Sequence, residues 1–420
     1  MASSTQSLTI IIVGGGIAGL SAAIALRAPN RQITILEQSR LHAEIGATIS
    51  LQPNASRILA QQWKLSADEL AIARGMIDHG FRIYNTEGTK VNEVPLKGGK
   101  YDAERMMYHR QDLHECLKVA ATSTTRPGPP AAIRVSSKVT NCDCDAGTVE
   151  LESGEKLQAD VVIAADGIHS TMRSFVLGET MSPVPTGLSA YRLIVPNEIL
   201  EEQAKGFCSN INPREPFTSM VMAHSCRLIM ATARDGTIYS MVGLVPDENM
   251  NEDPNAKQSW VSRGDLDKML ETYKDFPEWV TEPFKLAQDI GLWQLRDIDP
   301  LQTWAKGRVI LIGDAAHAML PTQGQGASQS VEDAEALGAF FEGVADAPSK
   351  EEIQNILQQV FKSRYERATL IQRYSREAAK PATDAGSKEV KMRPDEFMDY
   401  NCSYRGVKDW ITQREVRTSA

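Results

Sequence analysis

Three glycines near the start of the chain have the spacing of a phosphate-binding turn. They stand as Gly14-x-Gly16-x-x-Gly19, between an apolar run and an alanine-rich segment. Glycines lack a Cβ atom, so the backbone can approach a pyrophosphate, and a helix that begins at such a turn offers unpaired N–H groups. Glu37 ends the next apolar run, where its carboxylate can accept hydrogen bonds from a ribose diol. The pattern predicts a dinucleotide site and leaves NAD and FAD open as its ligand.

A βαβ unit must hold this turn. The residue pattern predicts a buried strand over Thr9–Val13, a glycine turn over Gly14–Gly19, a helix over Leu20–Arg27 and a second strand over Ile33–Leu36. The stretch Leu8–Leu26 carries no charged side chain. Its three central glycines, and the lack of a preceding Lys or Arg, nevertheless make a membrane span or a secretory leader a poor fit.

The composition is typical of a globular protein and favours neither nucleic acid nor a membrane as a partner. The 420 residues are 42% hydrophobic, and 54 acidic against 45 basic residues give a formal net charge of −9 without a basic block. Six cysteines form neither a dense disulfide framework nor a CxxC metal pattern, which predicts a cytoplasmic protein without a metal site. For Cys142 and Cys144, one residue apart in a predicted loop, we expect surface thiols rather than a metal or redox site.

Two further motifs accompany the glycine turn. One is AADGIHSTMR, with Asp166 and Gly167, and the other is GDAAHAMLPTQGQGASQSVEDA, with Gly313 and Asp314. The three motifs, in this order, resemble those of the FAD-dependent aromatic hydroxylases, the single-component flavoprotein monooxygenases. Within that family, YHRQDLHECLK and EIGATISLQPNASRIL resemble most the fungal salicylate-hydroxylase-like branch. The resemblance covers nearly the whole chain and implies FAD as the dinucleotide.

The resemblance also implies which residues contact FAD. Arg110 is expected to reach the phosphate or ribityl region, Asp314 to bind the ribityl chain, and Ala47 and Ala327 to offer backbone contacts. The segment that contains Asp166 is expected to contribute to both flavin and nicotinamide binding. Because the chain has one complete dinucleotide fingerprint, NADPH or NADH is expected to bind only transiently.

The stretch that follows Asp314 suits a flavin ring, because it has no formally charged side chain until the middle of the next predicted helix. Pro321 removes a backbone donor and stiffens the turn, while Gly324 and Gly326 let the main chain lie close to a flat ring. A helix that starts near Ala327 would aim its positive dipole end at a reduced flavin, which carries negative charge around N1.

The whole pattern predicts an α/β fold with two interleaved domains. Alternating segments over 184–245 indicate an antiparallel sheet, and a hairpin that turns at Glu87 and Gly88 is expected to belong to the same domain. Ser349 and Glu352 form a capping-box signature for a long helix. We predict a Rossmann-type FAD-binding domain, an antiparallel-sheet substrate domain and C-terminal helices, as in 4-hydroxybenzoate hydroxylase. The predicted boundaries are 1–75, 100–180 and 290–345 for the FAD-binding domain, 76–99 and 181–289 for the substrate-binding domain, and 346–420 for the C-terminal helical region.

The activity that the resemblance implies is oxygen insertion. NAD(P)H would reduce FAD, O2 would form a C4a-hydroperoxyflavin, and one oxygen atom would enter a small aromatic substrate of phenolic, hydroxybenzoate-like or indole type. The protein must then supply a dry pocket, orient the substrate and favour its anion.

Arg192 and Tyr191 are the candidate catalytic residues, in a predicted strand of the second domain. The permanent cation of Arg192 could stabilise a phenolate or bind a carboxylate, and a structural ion pair is the competing interpretation. For Tyr191, core packing is the competing interpretation. His224 and Tyr239 are weak candidates for a base that stays unassigned, and for His317 we favour a structural role within its motif.

Two other functions account for part of the pattern. A nicotinamide-dependent dehydrogenase would need only the glycine turn and Glu37, and it leaves the segment 313–327 unexplained. A flavin-binding sensor that does not hydroxylate would keep every motif. Substrate-stimulated NAD(P)H oxidation with stoichiometric product distinguishes the enzyme from the sensor.

Overall fold

The computed structural model describes residues 7–39, 47–96, 99–224, 226–247, 261–344, 348–380 and 392–412, with the backbone alone for 261–263. In chain order, the strands are β1 (Leu8–Val13), β2 (Arg31–Leu36), β3 (Thr48–Leu51), β4 (Met76–Ile77), β5 (Gly80–Tyr84), β6 (Lys90–Pro95), β7 (Met106–His109), β8 (Ala132–Arg134), β9 (Val139–Asp143), β10 (Thr148–Leu151), β11 (Lys156–Gln158), β12 (Val161–Ala164), β13 (Val184–Pro196), β14 (Thr218–Met222), β15 (Arg227–Ala233), β16 (Ile238–Pro246), β17 (Val261–Arg263), β18 (Ile290–Asp297), β19 (Ala305–Lys306) and β20 (Val309–Leu311). The α-helices are α1 (Ile17–Leu26), α2 (Pro53–Arg57), α3 (Ala67–Ala73), α4 (Arg110–Thr122), α5 (Met172–Leu177), α6 (Asn197–Gln203), α7 (Lys205–Asn210), α8 (Leu266–Thr272), α9 (Glu278–Thr281), α10 (Asp314–His317), α11 (Gly326–Phe340), α12 (Lys350–Ala379) and α13 (Pro394–Cys402).

A six-stranded sheet of the described residues carries the glycine turn. Its order is β19-β20-β12-β1-β2-β8, and every neighbouring pair is parallel except β19 with β20. β1 lies in the middle of the sheet, with Ile10 opposite both Ile33 and Val161. Parallel strands are buried on both faces, which explains their nearly continuous apolar sequences. This sheet is the Rossmann-type part of the predicted fold.

The first helix begins three residues earlier than predicted. α1 starts at Ile17 and not at Leu20, because Gly16 is already its N-cap. Gly19 therefore lies inside the first helical turn. A Cβ atom at Gly19 would lie 2.0 Å from the carbonyl oxygen of Gly14, so only glycine lets the helix pack this closely under the turn.

An eight-stranded sheet accounts for the antiparallel part of the prediction. Its order is β17-β18-β13-β16-β15-β14-β5-β6, and only β14 and β5 pair in parallel. The predicted hairpin, β5 with β6, joins the sheet through β14. β18 also belongs here, so the predicted boundary at residue 290 lies one strand too early. Its antiparallel pairing with β13 and β17 places it in this sheet.

α12 confirms the predicted capping box. The Ser349 hydroxyl accepts a hydrogen bond from the Glu352 N–H at 3.1 Å, and the Glu352 carboxylate accepts one from the Ser349 N–H at 2.7 Å. The helix packs against α11 and against the short 3₁₀ turn Pro321–Gln323. It therefore reaches the same loop that the sequence assigns to the flavin ring.

Apolar side chains gather in separate clusters around the two large sheets. The larger cluster surrounds the parallel sheet, and a second one covers one face of the antiparallel sheet together with helices α6 to α9. A small third cluster lies on the opposite face of that sheet and includes Leu320. Within the described ranges, no helix combines the length and apolar character needed to cross a bilayer.

Candidate active site

The three predicted cofactor motifs and Glu37 lie at one edge of the parallel sheet. Strands β20, β12, β1 and β2 are consecutive neighbours and run in one direction, so their carboxyl ends share that edge. Gly14 and Glu37 directly follow β1 and β2, whereas Asp166 and Gly313 follow β12 and β20 after one intervening residue. Ligands of open α/β sheets bind in the crevice outside this edge. The structure thus brings these predicted residues together.

The glycine turn combines one crowded position with one open position. Gly14 has φ +104°, and a Cβ atom there would lie 2.3 Å from the carbonyl oxygen of Ala165. Around the ideal Cβ position of Gly16, by contrast, the described residues leave 4 Å of open space. Gly16 is also the N-cap of α1, so this space adjoins unpaired helical N–H groups. The turn fits a pyrophosphate.

Glu37 holds the turn from the neighbouring strand. Its Oε2 accepts a hydrogen bond from the Gly15 N–H at 2.8 Å, and its Oε1 accepts one from the Ser39 N–H, also at 2.8 Å. Each carboxylate oxygen has a further lone pair. The side chain can therefore support the turn and still accept a hydrogen bond from a ribose hydroxyl.

Asp166 acts first as a helix cap. Its Oδ1 accepts the Ser170 hydroxyl hydrogen at 2.6 Å, and its Oδ2 accepts the Met172 N–H at 3.0 Å, at the start of α5. Burial raises the pKa of the Asp166 carboxyl, and these hydrogen bonds offset only part of that rise. Gly167 has φ +76°, which turns the chain away from β12. The Asp166 side chain is thus engaged within its own loop.

Arg173 joins this loop to the motif at Asp314. Its buried guanidinium donates hydrogen bonds to the carbonyl oxygens of Ile168 at 2.9 Å, Asp314 at 3.0 Å and Ala315 at 2.8 Å. Burial lowers the pKa of Arg173, whereas the carboxylates of Asp166 and Asp314 raise it. The Asp314 carboxylate itself is exposed at the sheet edge. It is free to accept from ribityl hydroxyls, as predicted for this position.

The uncharged loop after α10 is held in place by hydrogen bonds to α12. The Gln372 amide donates to the carbonyl oxygen of Ala318 at 2.9 Å, and the Thr322 hydroxyl donates to that of Ser375 at 2.6 Å. Because Gln372 and Ser375 are buried residues of α12, these two bonds give the loop a defined position in front of the sheet edge.

The end of this loop has the predicted backbone features. Pro321 begins the 3₁₀ turn, and Gly324 ends it with φ +59°. A Cβ atom at Gly324 would approach the Ser50 hydroxyl to 3.2 Å. α11 begins at Gly326, with Ala327 in its first turn, which agrees with the predicted helix start. The described residues leave 4 Å of space around the ideal Cβ of Gly326, as a close ligand requires.

Arg110 lies beside the glycine turn. Its N–H donates to the carbonyl oxygen of Ala47 at 2.8 Å, where α4 begins. One helical turn later, the His114 Nε2 lies 2.7 Å from the carbonyl oxygen of Gly15. Residues four apart share one helix face, so Arg110 lies on the face of α4 that meets the glycine turn, and the Ala47 carbonyl lies at the start of this helix. Sequence reasoning missed His114, although its spacing from Arg110 was the available signal.

Arg192 and Tyr191 are adjacent in β13 and therefore point to opposite faces of the sheet. The Arg192 guanidinium carbon lies 4.9 Å from the centre of the Trp293 ring, and its Nε has no hydrogen-bond partner among the described residues. Burial, and then the charge of Arg110, lower the pKa of Arg192 to about 10, so it stays a cation at neutral pH. Tyr191 is fully buried in the second cluster, and burial raises its pKa. The structure therefore separates Tyr191 from the site.

The face of the sheet that carries Arg192 is apolar and incompletely covered. Ile229 and Val242 are paired across β15 and β16 on this face, and both remain partly exposed. Leu320 of the uncharged loop packs against the same face, together with Leu244 and Leu295. The apolar face opposite the loop is thus only partly covered, and Arg192 lies on it.

Neither candidate base is part of this face, and Met230 and Met241 of the same sheet are not part of it either. Met230, Met241 and Tyr239 are buried in the second cluster, on the opposite face. His224 is exposed at the end of a strand. Trp293, under the Arg192 guanidinium, belongs to the same face as Arg192.

A group of ionisable side chains is buried behind the uncharged loop. We call it the buried charge cluster, and it comprises His317, Glu332, Asp333, Arg364 and Arg367. Asp333 accepts from Arg364 Nε at 3.0 Å, and Glu332 accepts from Arg367 Nε at 2.8 Å. The His317 Nε2 lies 2.6 Å from the Asp333 Oδ2. His317 thus has the structural role that we favoured.

Sequence reasoning missed the two arginines of this cluster. The apolar stripe of α12 includes Ile353, Leu357 and Val360, and the same spacing continues to Arg364 and Arg367. Charged residues on the buried stripe of an amphipathic helix require partners, and this was the signal. Their acidic partners on α11 could not be identified without the packing of the two helices.

Comparisons with known proteins agree with this geometry. The family model described as "FAD binding domain" matches residues 7–352. Hispidin-3-hydroxylase of Neonothopanus nambi is 33% identical over 378 residues, which cover 87% of this chain and 88% of that protein. The enzyme 3-hydroxybenzoate 6-hydroxylase 1 of Aquipseudomonas alcaligenes is 29% identical over 387 residues, with 88% of each chain covered. The solved substrate complex of salicylate hydroxylase has a TM-score of 0.75 at 25% identity, covering 97% of this chain and 96% of that one.

Proposed function

Because the chain belongs to the FAD-dependent aromatic hydroxylases, a family of flavoprotein monooxygenases, we propose that it uses NADH or NADPH and O2 to oxygenate an anionic aromatic substrate. A nicotinamide-dependent dehydrogenase is set aside by this membership. The anionic class of the substrate is inferred from Arg192, which is a cation on a partly exposed apolar face. Among the described carboxylates, none forms an ion pair with it.

FAD, when bound, supplies the electron transfer and oxygen activation of this reaction. Glu37 would hold the ribose, the main chain at Gly16 the pyrophosphate, and Asp314 the ribityl chain. Gly326 and Ala327, at the start of α11, would turn the positive end of that helix toward the ring. The protein's part is to position these groups and to exclude water.

Arg192 would act on the substrate. A nearby cation lowers the pKa of a bound phenol, and the phenolate is the more electron-rich form that oxygen transfer needs. A carboxylate on the ring could be held by the same guanidinium. Ile229 and Val242 would contact the apolar part of the ring and keep water away from it.

The relatives support an aromatic substrate of this kind. Their names state activity on hispidin and on 3-hydroxybenzoate, which are therefore suitable first substrates for this chain. Salicylate completes an anionic series, and indole serves as a neutral aromatic of similar size.

The test is anaerobic reduction of the FAD-bound protein by NADH and by NADPH, with and without each compound, followed by turnover in isotopically labelled O2. We expect the anionic aromatics to accelerate flavin reduction, and their products to carry one labelled oxygen atom. Turnover of indole alone would refute the anionic substrate class. Reduction by neither nicotinamide, with any compound, would favour the sensor.

Variants at two neighbouring residues test the role of Arg192. A hydrogen bond to a charged group contributes about 1.5–3 kcal/mol, so Arg192→Met should lower kcat/KM for an anionic substrate by about 10- to 100-fold. Arg192→Lys should recover part of this loss. Tyr191→Phe, which changes only a hydroxyl in the opposite core, is the matched control and should leave kcat/KM unchanged. Equal activity of Arg192→Met and wild type would contradict the role.

A further inference from the structure

Cys142 and Cys144 are not the surface thiols that the sequence predicts. Both are buried, with 9% and 5% of their surfaces exposed, on the side of β9 that packs against α5. Each thiol shifts the pKa of the other, so the two side chains are neighbours. α5 covers this part of β9 and the turn that follows it, which explains the burial of both residues.

A cavity of about 520 Å³ opens over this pair. Cys142, Cys144, Ser174, Phe175 and Lys306 are among the residues that line it. A small oxidant can therefore reach two thiols that are otherwise enclosed. Lys306 places a positive charge beside Cys144, and its ammonium also donates to the carbonyl oxygen of Phe175 at 3.1 Å.

The two sulfurs have different surroundings. Interaction with the Cys142 thiol is the first cause of a lowered pKa at Cys144, and Lys306 adds to it. Burial and the carboxylates of Asp145 and Asp143 act in the opposite direction. The same interaction, together with burial, raises the pKa of Cys142. Cys144 is therefore the better nucleophile and Cys142 the better source of a proton.

We propose that Cys142 and Cys144 form a reversible intrachain disulfide when the protein meets hydrogen peroxide. The Cys144 thiolate attacks one peroxide oxygen, and the O–O bond breaks to give a sulfenic acid and, after protonation, water. The Cys142 sulfur then attacks the Cys144 sulfur, and the S–O bond breaks to release a second water. Two thiols lose two electrons and two protons, and one peroxide becomes two waters.

The backbone permits this bond and makes it reducible. Residues two apart in a strand have Cα atoms about 6.6 Å apart, near the upper end of the disulfide range of about 4.4–6.8 Å. Cys144 lies where β9 gives way to a turn, so a small tightening of the chain suffices. Disulfides near a geometric limit have higher potentials and are reduced more easily.

The test treats the FAD-bound protein with hydrogen peroxide, followed by alkylation with iodoacetamide and digestion with trypsin. One tryptic fragment, 139–156, contains both cysteines, no other cysteine and no methionine. We expect this fragment to become about 2 Da lighter and resistant to alkylation, and dithiothreitol to reverse both changes. Lys306→Met should slow the formation of this disulfide several-fold.

Matched variants separate this reaction from general thiol oxidation. Cys208→Ser, at a half-buried cysteine in the other sheet region, should behave as wild type. Cys142→Ser should instead accumulate higher oxides at Cys144, because the resolving thiol is gone. The proposal is overturned if fragment 139–156 keeps two alkylatable thiols while Cys208 is consumed, or if wild-type Cys144 reaches the sulfinic acid while Cys142 stays reduced.

Discussion

Asp333 connects the buried charge cluster to the cofactor edge, and Asp333→Asn tests this connection. One carboxylate oxygen accepts from the Gly313 N–H at 2.9 Å and from His317, while the other accepts from Arg364. The residue is fully buried. Burial alone would raise the pKa of Asp333, but His317 and Arg364 more than offset it and the pKa is lowered. The carboxylate is therefore charged in the folded protein.

The size of the effect follows from the charge balance. Glu332 and Asp333 are the acidic partners of Arg364 and Arg367, so the asparagine variant removes one of the buried counter-charges of these arginines. Removing one partner from a buried ion pair costs about 3–5 kcal/mol, a large part of a total stability of about 5–15 kcal/mol. Because the backbone N–H of Gly313 loses a charged acceptor, FAD affinity should fall with stability.

Urea unfolding and FAD titration measure the two consequences. The double variant Asp333→Asn with Arg364→Met removes one charge of each sign. It should therefore be destabilised by less than the sum of the two single variants, with a coupling of about 0.5–3 kcal/mol. A destabilisation below about 1 kcal/mol for Asp333→Asn, with additive single variants, would refute this account of the cluster.

Two further predictions concern pH and the glycine turn. Burial raises the pKa of Glu335 to about 7 from an ordinary 4.5, so stability should fall as pH rises through this window, by up to about 3 kcal/mol, because only the folded state keeps the proton. The urea unfolding midpoint of the wild type should be lower at pH 8 than at pH 5, whereas that of Glu335→Gln should lack this fall. An equal pH dependence of the two proteins would contradict the assignment. Gly19→Ala should impair folding, because its Cβ would lie 2.0 Å from a carbonyl oxygen, whereas Gly16→Ala should fold normally and bind FAD weakly. Thermal melting and FAD titration of the two variants distinguish these outcomes, and wild-type FAD affinity in Gly16→Ala would show that its open space is not used.

Sequence patterns predicted the parts of the site that depend on neighbouring residues. The motifs at Gly14, Glu37, Asp166 and Gly313 each follow a strand, so their meeting at one sheet edge needed only the rule for parallel sheets. The start of α11 near Ala327 followed in the same way from local backbone chemistry.

The parts that were wrong or missed depend on contacts between distant segments. Alternation along β13 shows that Tyr191 and Arg192 point apart, but only the assembled sheet shows which face meets the uncharged loop. The pairing of Arg364 with Glu332 and Asp333 likewise needs the packing of α12 on α11. The burial of Cys142 and Cys144 depends on α5 lying against β9.

The strand order of the parallel sheet also governs how the protein emerges from the ribosome. β20 pairs with β12, yet the whole antiparallel sheet except β5 and β6 is synthesised between them. At a synthesis rate of about 5–20 residues per second, the edge of β12 waits roughly 7–29 s for its partner. An unpaired apolar edge is a template for association with other chains. During this interval the nascent chain can associate with other chains through the edge of β12. FAD binding cannot shorten the interval, because the residues around Gly313 are the last part of the FAD site to be synthesised.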